Sequence, residues 1–231
     1  MVVWKGGAMG FGIKVDVSGP RACFTRPEMK AERVSYDVIT PSAARGILES
    51  VYWKPAIKWV IDGIHVINQI KTATFRRNEV GSKASYNNAR SVALGGKDVR
   101  LGIAASEDRQ QRQTLYLEDV RYVIEAHFEM TRLAGESDNP EKHYNIALRR
   151  LRKGQCFNQP YLGCREFAVS DIHLCEEGEE TPQSFYDGQS VDLGYMLYDI
   201  DFSNGMSPQF FRAVMVDGYI DVAEAWKEVV S

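Results

Sequence analysis

Residues 120–154 read "VRYVIEAHFEMTRLAGESDNPEKHYNIALRRLRKG", and the architecture follows from a single change of period inside this stretch. Tyr122, Ile124, Ala126 and Phe128 alternate with Val123, Glu125, His127 and Glu129, which is the period of a strand. After the polar connector "RLAGESDNP" the pattern turns helical. Asn139 can cap, Pro140 fits the first helical position, Tyr144, Ala147, Leu148 and Leu151 share one face, and Gly154 closes the helix. His127 lies on the polar side of the strand and reads as a partly buried strand residue rather than a ligand.

The same strand-to-helix handover occurs earlier. "RVSYDVIT" is extended and runs into "PSAARGILESVYW", with Thr40 as cap, Pro41 at the first helical position and Pro55 as the stop. Ala44, Ile47, Leu48, Val51 and Tyr52 fall on one helical face. Upstream, "IKVDVSGPRACFTRP" opens with Ile13, Val15 and Val17 alternating before a Gly19-Pro20 turn. Downstream, "KWVIDGIHVINQI" reads as a buried strand or strand pair, and "REFAVSDIHL" as a strand.

Between them, residues from about 71 to 121 are polar, basic and rich in turn signals, which predicts a hairpin or flexible insertion carrying positive charge. The order is therefore β, α, β, insertion, β, α, β. That order predicts an α+β fold of the ferredoxin-like (RRM-like) kind over residues 12–174, with two helices on one face of an antiparallel sheet. Residues 175–231, with "LGYMLYDIDF" and "FFRAVMVDGYIDV", read as a small acidic β-rich region.

The bulk numbers describe a globular chain of 231 residues, 44% hydrophobic and 26% charged. No signal-like or membrane-length apolar run is visible, so a cytoplasmic protein without a membrane partner is expected. Cys23, Cys156, Cys164 and Cys175 form no C-x-x-C pair and the four histidines are scattered, so neither a zinc site nor a disulfide framework is implied. The net charge of −3 conceals a split: residues 173–231 hold 12 acids and two bases, whereas residues 1–172 hold 26 bases and 19 acids. A polyanion partner for the basic part fits this split, and so does a merely solvated acidic tail.

Lys142 and His143 occupy the first turn of the second helix, where free N–H groups and the helix dipole favour an anion and disfavour a protonated imidazole. His143 could then serve as a general base or acid on RNA, and Lys142 could stabilise charge on a pentavalent phosphorus. Equally, a Lys-His pair at a helix start is an ordinary solvated end, and Arg149, Arg150, Arg152 and Lys153 are what a helix C-terminus prefers. Two residues do not make a site. A third group is needed.

Seven segments taken together supply it: "YDVITPSAARGILESVYWKPAIKW" (36–59), "RRNEV" (76–80), "DRQQR" (108–112), "EAHFEMT" (125–131), "KHYNI" (142–146), "YLGCREF" (161–167) and "DLGYMLYDIDF" (192–202). In this order they resemble the CRISPR-associated Cas5 family of the type I-C (Dvulg) subtype, over Gly12 to about Val222. The resemblance implies a RAMP-superfamily protein with a ferredoxin-like domain and a small β region. It implies an endoribonuclease that cuts CRISPR repeat RNA at the base of a hairpin, then stays on the 5′ handle with the other subunits of the type I-C interference complex.

The family's catalytic trio falls here on Tyr52 of "YWKP" and on Lys142 and His143 of "KHY". The amino-terminal "MVVWKGGAM" departs from the family by extending before its usual start. On this resemblance Arg45, Arg76, Arg77, Arg109, Arg112, Arg149, Lys153 and Arg165 become candidate RNA contacts, "YLGCREF" being similar to the RAMP glycine-rich loop. The expected reaction needs no metal or other cofactor and leaves a 2′,3′-cyclic phosphate and a 5′-hydroxyl. A tyrosine of ordinary pKa is a better acid than base unless Lys142 lowers it, so His143 is assigned the base role, with the reverse left open. The alternatives are a non-catalytic scaffold that binds the guide-RNA handle and a metal-dependent DNA nuclease.

Overall fold

Among the described residues thirteen elements follow the order anticipated for the first 174 residues, with additions. They are β1 (Ile13–Ala22), β2 (Arg33–Val34), α1 (Pro41–Val51), β3 (Ile57–Val66), β4 (Lys71–Val80), α2 (Tyr86–Ala93), β5 (Arg109–Met130), α3 (Pro140–Arg152), β6 (Asp171–Leu174), β7 (Ser190–Asp201), β8 (Ser207–Val216), β9 (Tyr219–Asp221) and α4 (Val222–Ala225). The structure, a computed structural model, describes residues 11–29, 31–96, 101–202, 204–225, 227 and 229. The segment "MVVWKGGAM" lies outside the described residues.

One mostly antiparallel sheet runs β6-β1-β5-β3-β9-β8-β7, with β2 and β4 paired to the outer half of β5. The chain is thus α+β. β5 is the spine, because its second half lies between β1 and β3 while its first half pairs with β4, from Lys71↔Glu118 to Val80↔Arg109. The basic stretch is therefore a long two-stranded arm, and the short α2 beyond β4 buries none of its residues. At the other edge β9 hydrogen-bonds β3, so β9, β8 and β7 extend the same sheet.

Both helices begin as their caps require. Thr40 Oγ1 accepts from Ala43 N at 3.2 Å, and Asn139 Oδ1 accepts from Lys142 N at 2.8 Å, each followed by proline. α1 buries Ala44, Ile47, Leu48 and Val51 against the sheet. Truncating Leu48 to alanine in such a packed core costs about 2–5 kcal/mol. No helix among the described residues is long and apolar enough to cross a membrane.

Three local expectations need correction. β1 does not turn at Gly19-Pro20 but continues to Ala22. Pro20 is tolerated because β6 pairs only with Val15–Ser18, leaving that side of β1 without a ladder to break. A Cβ at Gly19 would come 2.5 Å from Leu162 Cδ1, so a larger residue there would have to displace that side chain. The strand expected over 165–174 is confined to β6, while of the strand or strand pair expected after Pro55 the single strand forms, β3, bulged at Asp62.

The third correction matters for the site. α1 ends at Val51, and Tyr52 is its C-cap with extended φ −150 and ψ 118. Residues before a proline avoid helical backbone, and by Tyr52, ahead of Pro55, the chain has already left the helix. Tyr52 is thereby turned out of the α1 stripe, and its carbonyl accepts from Trp59 Nε1 at 2.8 Å.

Candidate active site

The extended cap at Tyr52 points its ring towards the start of α3. The phenol oxygen lies 2.7 Å from His143 Nδ1, the two residues being 91 positions apart in sequence. Both side chains are 2% exposed. Phe128 of β5 closes the other side of the imidazole, with ring centroids 6.4 Å apart and nearly perpendicular. Lys142, the next residue along α3, is 43% exposed, and its Nζ donates to Asp138 Oδ1 at 3.0 Å and Ser137 O at 3.2 Å. The three residues expected from sequence therefore meet at one place, two buried and one at the surface.

Burial pushes the Tyr52 phenol above its usual value, opposed in part by the Arg150 guanidinium, so the phenol keeps its proton near neutrality, and which group donates across the 2.7 Å contact is set by the His143 tautomer. Arg150 and then Arg149 moderate this rise; Lys142, turned towards Asp138, is not among its causes. Arg150 also donates to Val51 O at 2.7 Å, and its guanidinium lies 5.2 Å from the Tyr52 ring centroid. It pins the last turn of α1 and holds the tyrosine from behind.

Two of these neighbours, Asp138 and Arg150, were not singled out from the sequence. Asp138 lies in the connector, where no periodicity marks it. Its carboxyl is held below the usual range by the Gly135 N–H and then by Lys142. Arg150 looked like one of several bases suited to a helix C-terminus. Only the sequence distance from Tyr52, which folding removes, hid its role.

The candidate RNA contacts divide into groups. Arg76, Arg77, Arg109 and Arg112 lie on the β4–β5 arm, and Arg77 stands directly opposite Arg112. Like charges in that register repel unless an anion intervenes. Glu79 and Glu166 pair with Arg77 at 2.7 and 3.4 Å, and Arg112 donates to Gln110 at 2.7 Å, whereas Arg76 and Arg109 are exposed. Arg165 is exposed on the "YLGCREF" loop, which Glu166 ties to this arm and to Arg33 at 2.9 Å. Arg149 and Lys153 are exposed at the far end of α3. Arg45 stands apart, in a two-pronged ion pair with Asp199 that joins α1 to β7.

Arg112 and Phe128 stand sixteen positions apart on β5, roughly 50 Å of strand path at about 3.3 Å per residue. The basic arm and the trio thus occupy opposite ends of one strand. The four cysteines are free thiols. Among the described residues one group of potential metal ligands, His173, Cys175 and Glu179, gathers within 4.8 Å at the edge strand β6, and His173 Nε2 already faces Glu179 at 3.5 Å.

Comparison with known proteins gives concordant results. The family model described as CRISPR-associated protein (Cas_Cas5), of the Cas5d type, matches residues 12–223. A CRISPR pre-crRNA endoribonuclease Cas5d from Mannheimia succiniciproducens is 50% identical over 221 residues, covering 94% of this chain and 97% of its own. One of the same name from Thermus thermophilus is 35% identical over 237 residues, covering 94% of each. A solved CRISPR-associated protein superimposes with a TM-score of 0.69 at 28% identity, over 95% of this chain and 96% of its own.

Proposed function

This chain belongs to the Cas5d family of CRISPR-associated proteins, and from that premise we propose that Tyr52, Lys142 and His143 are the groups with which it cuts precursor CRISPR RNA. The protein is a pre-crRNA endoribonuclease, as its relatives are named. The observation that carries the site assignment is the 2.7 Å contact between Tyr52 and His143 Nδ1 with Lys142 beside it. A buried base, a phenol and an exposed ammonium are what cleavage by an adjacent 2′-hydroxyl requires.

In this reading the ribose 2′-hydroxyl upstream of the cut attacks the phosphorus. Its proton passes to the Tyr52 oxygen as the phenolic proton passes to His143 Nδ1. The Lys142 ammonium stabilises the charge on the pentavalent phosphorus and gives a proton to the departing 5′-oxygen. The P–O5′ bond breaks, leaving a 2′,3′-cyclic phosphate and a 5′-hydroxyl. His143 then loses its proton to solvent, and Lys142 regains one. Proton transfer through a positioned imidazole is worth about 10²- to 10⁴-fold.

Metal independence is part of the proposal and rests on the donor set. The only carboxylate at the trio among the described residues, Asp138, is held by Lys142 and by Gly135, which suits orientation of side chains better than a two-metal clamp. Incubation of repeat RNA in excess EDTA tests this: cutting continues, and a 2′-deoxy substitution at the cut site abolishes it. Loss of cutting in EDTA with recovery in Mg²⁺ contradicts it.

We further read residues 12–174 as a ferredoxin-like RAMP unit, supported by the antiparallel order β6-β1-β5-β3, with residues 175–231 as an acidic extension on its β3 edge. The 5′ handle is assigned to the arm, to the "YLGCREF" loop and to the basic end of α3, and other complex subunits to the remaining surface. The alternative of a non-catalytic handle-binding scaffold is favoured by one observation, the burial of both Tyr52 and His143. Binding without cutting would decide for it.

A further inference from the structure

His143 Nε2 is buried and makes no hydrogen bond, although Asp138 Oδ1 lies 3.2 Å away at an angle too poor for one. The same oxygen accepts from Lys142 Nζ at 3.0 Å. Asp138 is not free to swing. Its Oδ2 accepts from Gly135 N at 3.0 Å, and its own N–H donates to Gly135 O at 3.0 Å, so the carboxylate is fixed by a turn built for it. One carboxylate oxygen thus faces both His143 Nε2 and the Lys142 ammonium from a fixed support.

We propose that Asp138 is the positioning residue of this site, selecting the His143 tautomer that bears its proton on Nε2 and holding Lys142 beside it. The inference rests on the assignment of Tyr52, Lys142 and His143 as the cleavage groups. A carboxylate 3.2 Å from Nε2 repels a bare nitrogen lone pair and attracts an N–H. With the proton on Nε2, Nδ1 keeps its lone pair and accepts from the Tyr52 hydroxyl at 2.7 Å. When the phenolic proton reaches Nδ1, the resulting imidazolium faces a negative charge already in place. The order phenol, imidazole, carboxylate repeats the logic by which a buried acid orients a catalytic histidine and stabilises its charged form. Loose geometry at Nε2 without substrate is what such hydrogen bonds show before the reacting complex tightens them.

Lys142 gains from the same carboxylate. Its exposed ammonium has three donors and many rotamers, and the ion pair with Asp138 keeps it over the site rather than in solvent. An incoming phosphate can share the ammonium without displacing the carboxylate, because Asp138 Oδ1 and Ser137 O take two of the three Nζ donors.

The test is single-turnover cleavage of repeat RNA by wild type, Asp138→Asn, His143→Ala and the double variant, with RNA affinity and thermal midpoint measured on each. Asparagine keeps the shape and removes the charge. Asp138→Ser, whose hydroxyl can still accept from Gly135 N–H, serves if the asparagine variant melts early. The inference expects the cleavage rate to fall about 10- to 100-fold, as for other outer-shell partners. RNA binding should be unweakened, since a negative charge near the phosphate has gone, and the double variant should be no slower than His143→Ala alone. A wild-type rate for Asp138→Asn beside an inactive His143→Ala overturns the role of Asp138 and leaves the site assignment standing. Undiminished cutting by His143→Ala overturns that assignment, and the inference with it.

Discussion

Tyr52 and His143 approach to 2.7 Å only because α1 stops at Val51, just before the tyrosine, and α3 starts at Pro140, one turn before the histidine. Had α1 run on to Trp53, the phenol would have stayed in the helix stripe. The end of α1 at Val51 and the start of α3 at Pro140 therefore place the two groups. Because the pair forms one proton path, Tyr52→Phe and His143→Ala should each lower the cleavage rate by about 10²- to 10⁴-fold. Together they should cost little more than the worse single change. A pre-steady-state comparison of the four proteins reads this out, and fully multiplicative effects would separate the two roles.

Arg150 should matter although it need not touch the RNA. Replacing it by methionine keeps most of the stem but leaves Val51 O without its donor, a cost of about 1–3 kcal/mol in thermal stability. Cleavage should fall as well, because the Tyr52 ring is no longer supported from behind. Calorimetry and a cleavage assay on one preparation check both, and normal values for both would remove Arg150 from the site.

The Arg45–Asp199 pair links α1 to β7 and is largely shielded, with side chains 23% and 20% exposed. Arg45→Ala should destabilise the protein by roughly 1–3 kcal/mol through the carboxylate it strands, and the double change with Asp199→Asn by less. If Arg45 instead serves mainly to hold RNA, Arg45→Ala will weaken binding without moving the melting midpoint.

The arm carries a separate prediction. Changing Arg76, Arg109 and Arg112 to alanine should weaken RNA binding and make it less sensitive to salt, by about 0.7 to 0.9 in the log–log slope for each phosphate no longer neutralised. The rate of cutting at saturating enzyme should hold, because these residues sit at the far end of β5 from His143. An altered rate with an unchanged slope would show that the arm is not an RNA surface.

His127, on β5, has its pKa raised by the hydrogen bond it donates to Asp62, whose two carboxylate oxygens lie 2.9 Å from Nδ1. A histidine raised in the folded state adds stability that is complete below its unfolded pKa of about 6.5 and disappears as pH climbs through the folded value. His127→Gln should therefore lower the melting temperature more at about pH 5.5 than at about pH 8.5. Equal decreases at both values would contradict the pairing.

The sequence revealed most where the physics is local. Both helix starts were legible from Thr40-Pro41 and Asn139-Pro140, and the strand over Tyr122–Phe128 from its alternation. The trio was legible only as a resemblance, since nothing in spacing brings Tyr52 to His143. Asp138 was illegible because a connector has no period, and its partners depend on how the Gly135 turn folds back. Pro20 misled for a different reason: whether proline breaks a strand depends on whether a neighbour pairs there, and the length of β6 could not be read locally.

The most direct measurement compares cutting and binding of repeat RNA by wild type, Tyr52→Phe, Lys142→Ala and His143→Ala at saturating protein, with product ends identified. The account predicts that the wild type leaves a 2′,3′-cyclic phosphate and a 5′-hydroxyl, while each variant still binds but cuts at least about 100-fold more slowly. Variants that bind and cut like the wild type would place the chemistry elsewhere in the molecule.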